Sequence, residues 1–286
     1  MVSPSEFLTL IRPINSFMIG TAVLVGMAVI SPSSLISIRA LISFLVGFLI
    51  SAFAMVVNDI YDVEIDRVND PERPIASGRI SPGTGVVFAS LLLIAGLTSS
   101  LLLTTSNFVI ALIFAVISWG YSFWGKRNGL LGNMMVAASM AVPFIFGGVA
   151  AVVSDDKSQI YLWSLALMAF LSGTGREVIK GIADVRGDHE RSIRSIALIR
   201  GNKTASIVGG ILLSVAIFTS FLPYLIQVAG IVYLLLVLVP NTIFLYTTWR
   251  ILRDNSPANA EKVKTLALIG MVAGLVAFLL GGAPIP

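Results

Sequence analysis

The chain has 286 residues, of which 56% are hydrophobic and only 12% charged, with a formal charge of +4 and no cysteine. Soluble domains carry about 25% charged residues, so a water-soluble globular protein is excluded, as are disulfides, thiolate metal sites and thiol catalysis. The positive charge sits in short stretches beside apolar runs, which points to anionic lipid headgroups rather than nucleic acid.

Uncharged runs cover 13–38, 40–58, 80–125, 128–154, 158–175, 204–249 and 265–286. A helical span needs about 20 residues to cross about 30 Å of hydrocarbon. The runs 80–125 and 204–249 are 46 residues each, about twice that need, so each is expected to fold back as a hairpin. The turn residues are Thr104–Asn107 in the first and Pro223 in the second. Nine spans result, near 14–30, 41–58, 85–103, 108–124, 131–152, 160–178, 204–221, 226–249 and 265–282. The expected fold is an all-α integral membrane protein, nine transmembrane helices around a central cavity, in one domain over 1–286. The runs lack the alternation of a membrane β-barrel, and open sheet edges do not survive in lipid.

Arg12 precedes the first span, but no small-residue cleavage site follows it, so the segment reads as a membrane helix and not a signal peptide. The second span runs into Asn58, Asp59, Asp62, Glu64 and Asp66. Asn58, Asp62 and Asp66 are spaced i, i+4, i+8 and share one face if the helix continues. A basic loop with Arg67, Arg73 and Arg79 follows, then the first long hairpin, then Lys126 and Arg127. The sixth span ends in Arg176, Glu177, Lys180, Asp184 and Asp188. Asp184 and Asp188 repeat the i, i+4 spacing, with Lys180 and Glu177 four and seven residues before Asp184. A second basic loop and a second long hairpin follow. The order of acidic span end, basic loop and hairpin therefore occurs twice, which suggests an internal repeat with its two acidic rows facing a common cavity.

Lys and Arg are distributed 17 to 2 between the two sides of this nine-span arrangement, with only Arg39 and Lys157 on the poorer side. The positive-inside rule then places the N-terminus and both acidic loops, near 58–84 and 176–203, in the cytoplasm of a multi-pass cell-membrane protein, and the C-terminus outside. Magnesium takes one or two carboxylates plus substrate phosphates, so two acidic rows flanked by cations suit a magnesium-diphosphate site. An ordinary solvated loop is the plain alternative reading of either row alone. Gly173, Gly175, Gly270 and Gly274 read as helix-packing positions. Phe53 and Trp124 read as packing or interface residues, and His189 as a loop residue.

The run Asn58-Asp59-x-x-Asp62-x-x-x-Asp66, followed by Arg73-Pro74-Ile75-Ala76-Ser77-Gly78-Arg79, closely resembles the first signature of the UbiA-type intramembrane prenyltransferases. Arg176-Glu177-Val178-Ile179-Lys180 with Asp184 and Asp188 resembles the second, in the form typical of the archaeal digeranylgeranylglyceryl phosphate synthases. The resemblance implies Mg2+ as cofactor, with Asn58, Asp62 and Asp66 on one face of the diphosphate and Asp184 and Asp188 on the other. It implies that Lys126 reaches the diphosphate, that Tyr121 lies near the reacting carbon, and that Arg12 and Asn15 form a first-span signature. Arg67, Lys180 and Glu177 complete the substrate surroundings, and Arg73, Arg79 and Arg12 are the candidate cations for an acceptor phosphate. The implied partners are an isoprenyl diphosphate donor, a lipid-like phosphate acceptor and membrane lipids. The implied reaction moves a geranylgeranyl group onto the free hydroxyl of geranylgeranylglyceryl phosphate. An aromatic prenyltransferase of quinone biosynthesis is the alternative within the family, and a transporter the alternative outside it. The chain departs from the family pattern at Gly181, where an aspartate is expected, at His189, where a basic residue is expected, and near Ala197, where a proline is expected.

Overall fold

In the computed structural model, which describes residues 3–152, 155–190 and 193–281, the chain is helical and divides into two compact units. The first comprises 1–28, 32–124 and 142–152, the second 29–31, 125–141 and 153–286. The first contains α1 (Pro4–Leu10), α2 (Pro13–Ile30) up to Ala28, α3 (Ile38–Tyr61), α4 (Val63–Asn69), α5 (Pro82–Leu101) and α6 (Thr105–Phe123). It also holds the last part of α7 (Gly129–Ala150). The second contains the start of α7, then α8 (Asp156–Ala183), α9 (Val185–Glu190), α10 (Ile196–Arg200), α11 (Asn202–Ser220), α12 (Leu222–Leu225), α13 (Ile231–Arg253) and α14 (Pro257–Gly281).

Among the described residues, eight helices are long and apolar enough to cross a membrane: α2, α3, α5, α6, α7, the stretch from α11 through α12, α13 and α14. Their outer faces carry exposed apolar side chains such as Ile14, Phe17, Leu91, Phe218 and Leu280, as a lipid-facing surface requires. The sixth predicted span, 160–178, lies in α8 and is not among the eight. This helix is 28 residues long but is polar at both ends, with Asp156 to Gln159 at its start and Arg176, Glu177 and Lys180 near its close.

Both long hairpins turn where the sequence places the turns. The Thr104 hydroxyl accepts from the Asn107 backbone N–H and caps α6. At the second turn, the backbone N–H groups of Val228 and Ala229 donate to the Pro223 carbonyl. Two helix starts differ most from expectation. α13 starts at Ile231 and not 226, because α12 and the following turn use those residues. α14 starts at Pro257 and not 265, since proline suits a first helical turn and the helix then runs on through Glu261, Lys262 and Lys264. Charge marks the edge of an apolar run, whereas caps mark the end of a helix.

Small residues permit close helix contact in each unit. A Cβ added at Gly147 would lie 1.8 Å from the Val23 carbonyl oxygen, and one at Gly26 2.1 Å from that of Phe144, so α2 and the end of α7 meet backbone to backbone. Arg39 Nε donates to the Ala150 carbonyl at 3.1 Å, a cation on the negative end of α7. In the second unit, a Cβ at Gly270 would meet Phe244 at 2.6 Å and one at Gly173 would meet Met140 at 3.2 Å. The buried rings of Tyr161, Tyr233 and Phe278 pack together, and both phenols find carbonyl partners, Phe278 and Ser220. These two polar groups are thereby satisfied inside an apolar bundle.

Candidate active site

The first acidic row is built on a helix joint. α3 ends at Tyr61, and Asp62 adopts φ −96°, ψ 4° before α4 resumes. The hydrogen-bond ladder runs on across the joint: Asp62 N–H donates to the Asn58 carbonyl at 3.0 Å and Asp66 N–H to that of Asp62 at 2.7 Å. Asn58, Asp62 and Asp66 therefore stay one turn apart, as their spacing predicts, although the α-helix itself breaks at Asp62. That break is in the bridge region of backbone space, where active-site residues are often found.

Below the row sits a charge hub centred on a residue that the sequence reading left unassigned. Asp59 is 4% exposed and accepts from Arg12 Nη2 at 2.5 Å and from Arg73 Nη1 at 3.0 Å. Arg73 also reaches Asp66 through Nη1 at 2.8 Å and Asp70 through Nε at 2.9 Å. Arg12 reaches the hub from a left-handed backbone, φ 44°, a conformation that non-glycine residues seldom adopt. The loop after the row is pinned by buried Ile75 and Ile80 and turns at Gly78, φ 78°. Arg79 pairs with Glu6 at 3.0 Å and Glu72 at 3.4 Å.

Burial pushes the Asp66 carboxyl above its usual range. Arg73 opposes that shift, and the neighbouring charges of Asp62 and Asp59 add to it. Carboxylates gathered in one place repel each other, so a cation is favoured there. Arg67 points elsewhere, into an exposed pair with Glu64 at 3.1 Å. Asn15 is exposed in the first turn of α2 and makes no hydrogen bond to the row among the described residues.

The second row, in the other unit, repeats the joint. α8 ends at Ala183 and Asp184 adopts φ −93°, ψ 8°. Asp184 N–H donates to the Lys180 carbonyl at 3.0 Å and Asp188 N–H to that of Asp184 at 2.9 Å. The two joints agree within a few degrees, and Ile60, Asp62, Val63 and Asp66 stand in register with Ile182, Asp184, Val185 and Asp188, which supports the internal repeat. Glu177 is 9% exposed; it accepts from Arg176 at 2.5 Å and lies 3.7 Å from Lys180 Nζ, which is 4.0 Å from Asp184. Among the described residues Arg176 Nε is buried without a hydrogen-bond partner. A Cβ at Gly181 would meet Ser195 at 3.5 Å and Asp188 Oδ2 at 3.9 Å, ordinary contacts that leave room beside Asp188. His189 is exposed on α9. Arg191 and Ser192 of the basic loop lie outside the described residues.

Tyr121 is half-buried near the end of α6, and Lys126 sits in a 3-10 turn over Gly125–Arg127. Phe53 is buried in the core of the first unit, the packing role expected for it. Exposed Tyr61, Trp119 and Phe123 form an aromatic cluster at the ends of α3 and α6, with Trp119 Nε1 donating to Tyr61 Oη at 3.1 Å. Such a cluster suits the membrane–water boundary.

Among the described residues no three acidic or imidazole groups form a ready cage for a metal ion. That donor set still fits magnesium, which takes one or two carboxylates and completes its octahedron with water and substrate phosphates. Sequence reasoning missed Asp59, Asp70, Glu6 and Glu72. A signal for the first was present: Asp59, Asp66 and Arg73 are spaced by sevens, a spacing that keeps helical residues on one side.

Known proteins resemble the chain in sequence and fold. A digeranylgeranylglyceryl phosphate synthase of Methanococcus vannielii is 39% identical over 84% of each chain. A solved structure concerning digeranylgeranylglyceryl phosphate synthase in membranes superposes with a TM-score of 0.88 at 31% identity, covering 97% of each chain. A UbiA homologue from Archaeoglobus fulgidus, solved bound to GPP and Mg2+, shares the fold with a TM-score of 0.74 at 17% identity, over 96% of this chain and 99% of that one. Residues 19–281 match the UbiA prenyltransferase family, and the chain belongs to it.

Proposed function

We propose that the protein is a magnesium-dependent prenyltransferase that moves a geranylgeranyl group from geranylgeranyl diphosphate to the free hydroxyl of geranylgeranylglyceryl phosphate. The observation that carries this reading is the pair of matched joints, each placing an Asp-x-x-x-Asp row at the end of a long helix. Relatives named as digeranylgeranylglyceryl phosphate synthases support the choice of acceptor. Asn58, Asp62 and Asp66 in one row, and Asp184 and Asp188 in the other, are the proposed magnesium ligands. When bound, magnesium would neutralise the charge that gathers on the departing diphosphate.

The chain's own residues do the rest. Lys126 and Lys180 supply fixed positive charge to the leaving group. The allylic carbon–oxygen bond breaks, the acceptor hydroxyl oxygen forms the new carbon–oxygen bond, and its proton passes to a carboxylate or to the released diphosphate. Tyr121 offers a ring face to the allylic cation. Arg73, held with Arg12 on Asp59, orients Asp66. We further propose that α8 also crosses the membrane, as the sixth of nine helices, and that both rows face the cytoplasm, the side rich in Lys and Arg.

The test is an acceptor competition. Purified protein in nanodiscs receives geranylgeranyl diphosphate with geranylgeranylglyceryl phosphate and a set of hydroxybenzoates and naphthoates together, and products are weighed by mass spectrometry. The expected product is the phosphate-bearing diether. A prenylated aromatic ring in its place would move the protein to the quinone branch of the family.

A further inference from the structure

The three arginines that the sequence offers for an acceptor phosphate are already engaged, Arg12 by Asp59. Arg73 is held by Asp59, Asp66 and Asp70, and Arg79 by Glu6 and Glu72. A guanidinium so paired gives up strong charge-assisted contacts before it can take a phosphate. Two other arginines stand differently. In the second unit a groove of about 520 Å³ is lined by Arg194 and Arg200 together with Leu130, Ile196, Ile199 and Val208. Neither guanidinium makes an ion pair among the described residues. The groove therefore combines two cations outside any ion pair among the described residues with four apolar side chains, and Asn128 and Thr204 add polar lining.

Its walls belong to the catalytic elements of that unit. Arg194 N–H donates to the Arg127 carbonyl at 3.2 Å, next to Lys126. Gly129 takes φ 46°, and a Cβ there would lie 2.4 Å from the Arg194 carbonyl oxygen, so the two segments touch backbone to backbone. Ser195, the next residue, packs beside Gly181 and Asp188. A ligand held in this groove lies next to the second acidic row.

From this placement we infer that the groove is the acceptor subsite: Arg194 and Arg200 bind the phosphomonoester head of a prenylglyceryl phosphate, and the four apolar residues receive the start of its chain. The inference rests on the proposed prenyl transfer to a phosphate-bearing lipid. The chemistry matches in charge, since a phosphomonoester carries about −1.5 to −2 at pH 7 and two planar guanidiniums each present a fork to its oxygens. It matches in size, for ligand sites run to about 300–1,000 Å³. Adjacency to the acidic row and to the Lys126 turn favours the substrate over bulk bilayer headgroups, which need no such address.

The experiment measures binding without turnover, so that it stands apart from the acceptor competition. Full-length protein in nanodiscs of neutral lipid is titrated with geranylgeranylglyceryl phosphate and, separately, with geranylgeranylglycerol, and bound ligand is counted by native mass spectrometry. In Arg194→Gln/Arg200→Gln the Kd for the phosphorylated probe is expected to rise about tenfold or more, while that for the neutral probe holds. Arg194→Lys/Arg200→Lys, which keeps the charge, should recover part of the affinity and shows that the fold survives. Equal Kd values in wild type and the glutamine variant would overturn the assignment, as would equal weakening of both probes. A third arm adds phosphatidylglycerol: if it displaces the phosphorylated probe as well as unlabelled acceptor does, the groove serves bilayer headgroups and the assignment also falls.

Discussion

Asp62→Asn and Asp184→Asn are each expected to lower turnover by about a hundredfold or more, the scale of losing one main electrostatic stabiliser. Asparagine keeps the size of the side chain and removes its charge, and each residue sits at a joint whose backbone ladder continues through main-chain groups. Fold and extraction from the membrane should therefore be unchanged, with a single symmetric peak on size exclusion. The loss should appear in kcat measured at saturating donor and acceptor, with a higher magnesium requirement. Turnover within a few-fold of wild type in either variant would remove that residue from the site. Matched losses at both positions would be the functional counterpart of the matched joints.

The second large effect concerns stability. Asp59 is 4% exposed and is the shared partner of Arg12 and Arg73, whose side chains are 30% and 26% exposed. Asp59→Ala leaves the partly buried Arg12 with no carboxylate among the described residues and Arg73 with Asp66 and Asp70 alone, and breaking a buried pair from one side costs about 3–5 kcal/mol. Arg67→Ala is the control. Its pair with Glu64 is exposed on both sides, and such pairs contribute about 0–1 kcal/mol. Unfolding in mixed micelles, followed by intrinsic fluorescence, should show Asp59→Ala far less stable than Arg67→Ala. Equal stability of the two variants would mean that the hub does not hold the loop after the first row.

The apolar helices were legible because the membrane imposes a simple rule: charges interrupt, and runs of 46 residues must turn. The capping and turn residues at Thr104 and Pro223 acted where expected. The start of α14 was not legible from charge, since the helix continues past Glu261 and Lys264 on the strength of its own backbone bonds. The eight candidate spans fall one short of nine at α8, whose uncharged stretch 158–175 is diluted by Ser158, Gln159, Ser164, Ser172 and Thr174 before Arg176, Glu177 and Lys180 close the helix.

For the site, the i, i+4 spacing located both acidic rows, and the ladder across each joint preserves it. The fates of Arg73 and Arg79 were harder to read. Their partners Asp59 and Glu6 come from other helices, so local sequence shows two basic residues in a loop and hides the carboxylates that hold them. Arg194 and Arg200 look the same in the sequence and differ only in lacking such partners among the described residues. Partner geometry, and not residue type, separates a structural arginine from one open to substrate.

The central claim is magnesium-dependent prenyl transfer by this chain, and one sample tests it most directly. Diether phosphate formed from geranylgeranyl diphosphate and geranylgeranylglyceryl phosphate is quantified by mass spectrometry in purified protein as isolated, after EDTA and dialysis, and after Mg2+ is restored. The account predicts product in the first state, near-complete loss in the second and recovery in the third. Product that persists undiminished through chelation, or no diether phosphate from folded protein in any of the three states, would contradict it.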